Sequence, residues 1–165
     1  MHTIGRTLAT VRLGVHKNLE NCCASLKTNG INISPRAEDI LKKTLLSQIE
    51  IDFELREVSV AELDFNKATR FDVICERIVE RDFDLCPGEA GPAVRLTYKN
   101  QPKGERLIVA MEAITDSIYC PIVFGVGHDK DGLWLDAHFG KPGTLFYPSE
   151  RFVVARRKSR RSRAT

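Results

Sequence analysis

The most distinctive chemistry in the sequence is a run of cations at its C-terminal end. Residues 156–163 include six basic side chains and no acidic one. Like charges at this density repel one another and no apolar side chain is available for burial, so we expect residues 156–165 to form a disordered tail. Such a tail would release counterions from a phosphate polymer, which predicts salt-dependent binding without sequence readout. The predicted nucleic-acid contacts are Arg156, Arg157, Lys158, Arg160, Arg161 and Arg163.

A second reading of the same run needs no ligand. A strongly charged terminus keeps a protein soluble whether or not it has a partner. The tail is therefore either a contact for nucleic acid or a ribonucleoprotein, or a solubilising end. The sequence leaves both alternatives open.

Histidine and carboxylate side chains are concentrated near one predicted turn. The group comprises His128, Asp129, Asp131, Asp136 and His138. Nitrogen and carboxylate ligands suit divalent metals. However, Asp131-Gly132 is already explained by a tight turn, and the pattern falls far short of a calcium-binding loop. On a strand, Asp136 and His138 share one face while His128 belongs to the preceding strand, so we assign no metal ligand and no cofactor.

Metal-free ribonuclease chemistry is the sharpest enzymatic alternative. It requires a base for the 2′-hydroxyl proton, an acid for the leaving oxygen and a cation for the phosphate. The available residues are Glu112, His128, His138 and Arg151. The opposing interpretation is that Glu112 faces solvent and both histidines lie at the edge of a hairpin.

The acidic charge lies in the middle of the chain. From residue 46 to residue 86 there are eleven acidic and five basic side chains, although the whole chain has a net charge of only +3. Glu50, Asp52 and Glu54 alternate with apolar residues and predict one acidic strand face. This face is exposed to solvent, or it binds a basic partner or the protein's own tail.

The cysteines and the apolar pattern indicate a cytoplasmic protein. The five cysteines are odd in number and include no CxxC pair, so we expect free thiols in a reducing compartment. Arg6, Arg12 and Lys17 interrupt the N-terminal region, which lacks the apolar run of a signal peptide. No apolar segment is long enough to span a bilayer. The oligomeric state stays open.

Helical spacing dominates the first half of the sequence. Asn18 and Ser34-Pro35 are typical helix starts, and Thr69 with Asp72 resembles a capping box. The alternation over residues 49–55 predicts a strand, and the change of parity after it predicts a bulge near Arg56-Glu57. A short strand is also predicted at residues 10–15, with a helix from Leu8 as its competitor.

Near Pro92 the spacing between apolar residues changes from three or four positions, which is typical of a helix, to two positions, which is typical of a strand. Strands are expected at residues 93–99, 106–114, 119–126, 133–139 and 151–156, with a turn at Asp131-Gly132. The predicted fold class is α+β, with two or three N-terminal helices packed on a mainly antiparallel sheet of five or more strands. Residues 1–155 form this single domain, and the Pro/Gly-rich segment 86–92 is a hinge within it.

Several short sequence motifs, in a fixed order along the chain, resemble those of a known family. They include Val58-Ser59-Val60-Ala61-Glu62-Leu63, Leu85-Cys86-Pro87, Arg95-Leu96-Thr97-Tyr98, Gln101-Pro102-Lys103-Gly104-Glu105, Ile114-Thr115-Asp116-Ser117 and Gly132-Leu133-Trp134-Leu135. Together they resemble small uncharacterised bacterial proteins over about residues 10–158. The resemblance implies no function. The family pattern has Trp where Arg106 stands and Pro where Ala113 stands. The family is also rich in aromatic residues near its C-terminal end, whereas this chain has only Phe146, Tyr147 and Phe152 there.

Two functional hypotheses follow from the sequence. The first is a non-enzymatic binding protein whose domain contacts a macromolecule, either a protein or nucleic acid, and whose tail adds electrostatic affinity. The second is a small metal-independent ribonuclease or toxin-like enzyme. Neither hypothesis involves a membrane.

Overall fold

A computed structural model describes residues 4–157 of the protein. Within this range it contains four α-helices, one 3-10 helix and eleven strands, which confirms a chain of mixed α and β structure. The elements in order are β1 (Arg6–Leu13), α1 (Leu19–Thr28), β2 (Asn32–Ile33), α2 (Pro35–Leu41), β3 (Ile51–Ser59), a 3-10 helix (Ala61–Leu63), β4 (Thr69–Arg70), α3 (Phe71–Glu80), β5 (Phe83–Asp84), α4 (Ala90–Thr97), β6 (Arg106–Val109), β7 (Ile114–Thr115), β8 (Pro121–Asp129), β9 (Gly132–Phe139), β10 (Leu145–Phe146) and β11 (Arg151–Arg156).

Nine of these strands form one curled, mixed sheet. Its central order is β1-β3-β11-β6-β8-β9-β2, with β5 paired to β11 and β7 paired to β8, while β10 and β4 form a separate pair. The β11–β6 and β2–β9 pairs are parallel, and the other pairs in the sheet are antiparallel. The short spacing between neighbouring strands indicated antiparallel hairpins. It could not show that β11 returns to the middle of the sheet, where no hairpin determines its direction.

Helices cover both faces of the large sheet. On one side, which we call the α4 face, α4 packs closely against Phe124 of β8. On the other side, the α3 face, Phe71 of α3 stacks on Phe152 of β11 with ring centroids 6.1 Å apart. Phe146 meets the same Phe152 ring edge-on at 5.1 Å. A continuous apolar core therefore lies on both sides of the central strands.

Local capping signals placed two of the helices correctly. The side chain of Asn18 accepts from the backbone N–H of Asn21 at the start of α1, and Ser34 accepts from Ala37 at the start of α2. The predicted capping box at α3 is wrong, because the helix begins at Phe71 and Asp72 instead binds Arg70. Tertiary contacts start this helix: the N–H groups of Phe71 and Asp72 donate to carbonyls of the segment before β10.

The predicted strand over residues 93–99 is wrong, since this segment belongs to helix α4. Pro92 lies in the first turn of the helix, where a missing N–H costs nothing. Ala90, Val94 and Arg95 are buried at helical spacing. The Pro/Gly segment thus introduces a helix, and the switch to β structure follows at β6.

Strand β1 confirms a strand rather than a helix near residues 10–15, although it begins earlier, at Arg6. The predicted bulge near Arg56-Glu57 lies instead on this neighbouring strand, where the pairing with β3 shifts between Thr7 and Ala9. The apparent change of parity in β3 has another cause. Glu57 and Val58 are adjacent and both buried, since Glu57 is enclosed by its arginine partners on one face and Val58 lies beside Phe152 on the other.

None of the helices described within residues 4–157 is long and apolar enough to cross a membrane.

Gly91 allows α4 to approach the sheet, which makes it the most demanding packing position of the helix. A Cβ at this position would lie 2.5–2.8 Å from three atoms of Phe124. We predict that Gly91→Ala lowers the free energy of unfolding by about 1–3 kcal/mol because the buried phenyl ring must move. Gly143→Ala is the control, since its added Cβ would meet only Arg70 atoms at 3.9 Å. Urea denaturation should show it within about 0.5 kcal/mol of the wild type.

Candidate functional site

An open cleft of about 530 Å³ lies at the end of the sheet where β6 and β11 begin and opens onto the α3 face. Glu105 and Arg151 reach it from the other face, because they alternate with Arg106 and Phe152 along their strands. This volume is within the usual range of ligand sites. Its floor is formed by β6 and β9, and its walls are the turn at residues 102–105 and the start of β11. The side chains that line it include Lys103, Glu105, Arg106, Ile108, His138 and Arg151.

The cleft exists because α3 covers only part of its face. The phenyl rings of Phe71 and Phe152 mark the covered part, over β3 and β11. Beyond it, β8 presents Gly125 and Gly127 towards this face, opposite Ile108 and Arg106 of β6. Two neighbouring positions without side chains leave a depression across the sheet.

His138 occupies the space above Gly125. Its Nε2 atom lies only 2.4 Å from the point where a Cβ on Gly125 would be. Burial, together with the nearby Arg106 guanidinium, lowers the pKa of His138 to about 4 against the opposing effect of Asp136. At neutral pH the cleft therefore contains an uncharged imidazole.

Two cationic side chains at the rim of the cleft have no partner. Lys103 and Arg106 are exposed and make no hydrogen bond or ion pair with any residue in the described range 4–157. The two carboxylates of the cleft already accept protein hydrogen bonds. Glu150 accepts from the backbone N–H of Tyr147 at 2.7 Å, and Glu105 accepts from the Tyr98 hydroxyl at 2.8 Å. Lys103 and Arg106 are thus available to an anion, beside a Glu150 carboxylate that keeps its charge.

Arg151 is held at the cleft wall by a buried carboxylate. Glu57 on β3 accepts from Arg6 Nε and from Arg151 Nη1, each at 2.6 Å. The Glu57 side chain is only 4% exposed. The hydrogen bond to Glu57 is the main cause of the raised pKa of both arginines. This pairing joins β1, β3 and β11.

A second set of polar contacts continues from this cluster beneath the turn at residues 102–105. Glu105 lies 3.4 Å from Arg6 and 3.6 Å from Arg151, and its other oxygen accepts from Tyr98. Burial, and after it the hydrogen bond to Glu105, raises the pKa of Tyr98 to about 12. Gln101 donates to the Glu105 carboxylate at 3.3 Å.

Arg95 of α4 completes this polar network. Its Nη1 atom donates to Gln101 Oε1 at 2.7 Å and its Nη2 atom to the Tyr98 carbonyl at 2.5 Å. Burial lowers its pKa to about 10, so the guanidinium remains charged at neutral pH. Its Nε atom has no partner within residues 4–157. The network therefore fixes the turn that carries Lys103 against the helix and the sheet.

The ribonuclease residues predicted from sequence are only partly brought together. His138 and Arg151 line the same cleft, whereas Glu112 is exposed and is not among its lining residues. His128 is five register positions from the His138 pair along the β8–β9 ladder, roughly 17 Å away. The odd separation places it on the α4 face, where its Nδ1 atom contacts the Gln101 carbonyl at 2.6 Å. The two histidines cannot act on one bond.

The histidines and carboxylates near the β8–β9 turn, to which no metal was assigned, do not converge either. Among residues 4–157, no group of three or more His, Cys, Asp or Glu side chains could hold a metal ion. Asp129 accepts from the Asp131 N–H and from Trp134 Nε1, so it stabilises the β8–β9 turn. Asp136 and His138 do share the α3 face, as their spacing indicated.

The two described residues of the basic run contact the protein's own acidic groups. Arg156 donates to Glu54 at 3.0 Å, and Arg157 donates to Asp84 at 3.1 Å and to the Val79 carbonyl near the end of α3 at 3.0 Å. Part of the acidic β3 face therefore binds the beginning of the tail. The other predicted contacts, Lys158, Arg160, Arg161 and Arg163, lie outside the described residues.

Sequence analysis missed Lys103 and Arg106 as functional candidates. A signal was present: Arg106 and Ile108 are two positions apart in a strand and must share a face. The sequence did not show that glycines lie opposite them on β8. That pairing depends on the sheet order.

In comparisons with protein-family models, with curated proteins and with solved structures, nothing matched this chain. The resemblance to small bacterial proteins and the cytoplasmic location stay predictions.

The lowered pKa of His138 predicts a loss of stability in mild acid. Between pH 6.5 and about 4, the unfolded chain binds a proton at this position that the folded protein excludes. The contribution of the neutral imidazole is complete above pH 6.5 and is lost as pH falls to about 4, by about 1.4 kcal/mol per pH unit. Urea denaturation across this range should show a shallower pH dependence for His138→Gln. Equal slopes for both proteins would contradict the assignment.

Glu57 and Glu54 provide a matched pair on one strand. Glu57→Gln leaves two arginines with a neutral partner in a buried site, so we predict a loss of about 2 kcal/mol or more in the free energy of unfolding. Glu54→Gln alters the more exposed pair with Arg156 and should cost less than about 1 kcal/mol. Comparable losses in chemical denaturation would show that the buried carboxylate has no special role.

Proposed function

We propose that the protein is a non-enzymatic nucleic-acid-binding protein whose cleft contacts backbone phosphates and whose basic tail adds electrostatic affinity. The observation that carries this proposal is the state of the charges in the cleft. The side chains of Lys103 and Arg106 are exposed and have no hydrogen-bond or ion-pair partner among residues 4–157. Phosphate oxygens are the natural acceptors for such cations.

The position of the tail supports a ligand that is longer than one phosphate. β11 carries Arg151 at the cleft and Arg156 at its opposite end, roughly 17 Å apart along an extended strand and, because they are five positions apart, on opposite faces of the sheet. The remaining tail cations follow from there in the sequence. A polyanion of several nucleotides would meet both regions, whereas a single small anion would meet only one.

The ribonuclease alternative has one observation in its favour, the shared location of His138 and Arg151. The pKa of about 4 makes His138 a weak general base at neutral pH. The second histidine lies on the opposite face of the sheet. The geometry therefore favours binding over cleavage.

Removing the two cleft cations should weaken salt-dependent binding to RNA. Each phosphate contact on a single strand adds about 0.7 to the slope of log affinity against log salt. For Lys103→Gln/Arg106→Gln we expect this slope to fall by about 1.4. Lys27→Gln, on the exposed surface of α1, is the control and should leave the slope unchanged. Fluorescence anisotropy over a salt series measures both.

Neutralising the tail tests its share in the full-length chain. The variant replaces Lys158, Arg160, Arg161 and Arg163 with glutamine and keeps Arg156 and Arg157, which contact carboxylates of the domain. We expect the slope to fall by about 2.8. An affinity for RNA that neither this variant nor the cleft variant changes would refute the proposal. Cleavage of the strand that His138→Ala abolishes would establish the ribonuclease instead.

A further inference from the structure

The floor of the cleft has an apolar part beside the cations. Ile108 is 3% exposed and pairs across the sheet with Gly125. The ring of His138 approaches the same glycine from β9. The His138 ring therefore covers the glycine position, and the buried Ile108 side chain closes the floor beside it, on three adjacent strands.

The imidazole is available there as a neutral aromatic ring. It makes no hydrogen bond with any other residue in the range 4–157, and it lines the cleft. The low pKa of the ring keeps it uncharged beside Arg106. A neutral ring gives an apolar surface on which another ring can stack without the cost of desolvating a charge.

Arg106 provides a cation next to this surface. It precedes Ile108 by two residues, so both side chains project to the α3 face, and it pairs with Gly127 as Ile108 pairs with Gly125. A cation beside an aromatic and aliphatic surface is the combination that a nucleotide requires, with the phosphate at one end and the base at the other.

We propose that this part of the cleft receives one unpaired base of a nucleic-acid strand, stacked against His138, with Arg106 at an adjacent phosphate. This inference rests on the proposed function and makes it more specific. A base within a duplex already stacks on both of its neighbours, so the cleft would select single strands.

The test separates base contacts from phosphate contacts. One probe is an oligouridylate of about ten nucleotides, and the other is an abasic ribose-phosphate strand of equal length. Anisotropy at one fixed salt concentration gives the affinity of each strand for the wild type, His138→Ala, His138→Gln and His138→Phe. His16→Ala, a histidine outside the cleft, is the control. Thermal melting verifies that each variant is folded.

We expect the wild type to bind the intact strand roughly tenfold more tightly than the abasic strand. His138→Ala and His138→Gln should remove this preference without changing the affinity for the abasic strand, while His138→Phe retains it. If the wild type shows no preference, or if the variants weaken both strands equally, the base site is wrong and the phosphate-binding function stands. If neither strand binds the wild type, both proposals fail.

Discussion

The buried carboxylate of Glu57 is the interaction on which the site depends. A charge in this position is tolerable only because two arginines converge on it from the neighbouring strands β1 and β11. Arg151 depends on Glu57 in turn, because the ion pair holds the arginine at the wall of the cleft. The adjacent Glu105 extends the same network to α4 through Tyr98 and Gln101. The wall of the cleft and the mixed sheet are thus stabilised by one set of charges.

Unequal coverage of the sheet produces the cleft. The aromatic contact between α3 and β11 buries one half of the α3 face and leaves the other half open. Helix α4, on the opposite face, packs so closely at Gly91 that the strands there are fully covered. Protein interiors are densely packed, and a depression persists only where side chains are missing. On β8, side chains are missing at Gly125 and Gly127.

The elements that could be predicted are those encoded by local chemistry. Asn18 and Ser34 begin their helices as their side chains indicated, and the terminal strand has the predicted bounds Arg151–Arg156. Helix α4 was missed because its few apolar residues before β6 fit either periodicity. At the site, the shared face of Asp136 and His138 followed from strand periodicity. The grouping of His128 with His138 failed because an odd separation along β8 and β9 puts them on opposite faces.

The sequence by itself determined the charge pattern, the free thiols, the mixed α and β character and the turn at Asp131-Gly132, because each depends on residues close together in the chain. Only the tertiary structure decided that β11 lies between β3 and β6, and therefore that Arg151 meets Glu57 from a distant part of the sequence. Strand order is decided by how the whole chain buries its apolar surface. Local sequence patterns therefore do not determine the strand order.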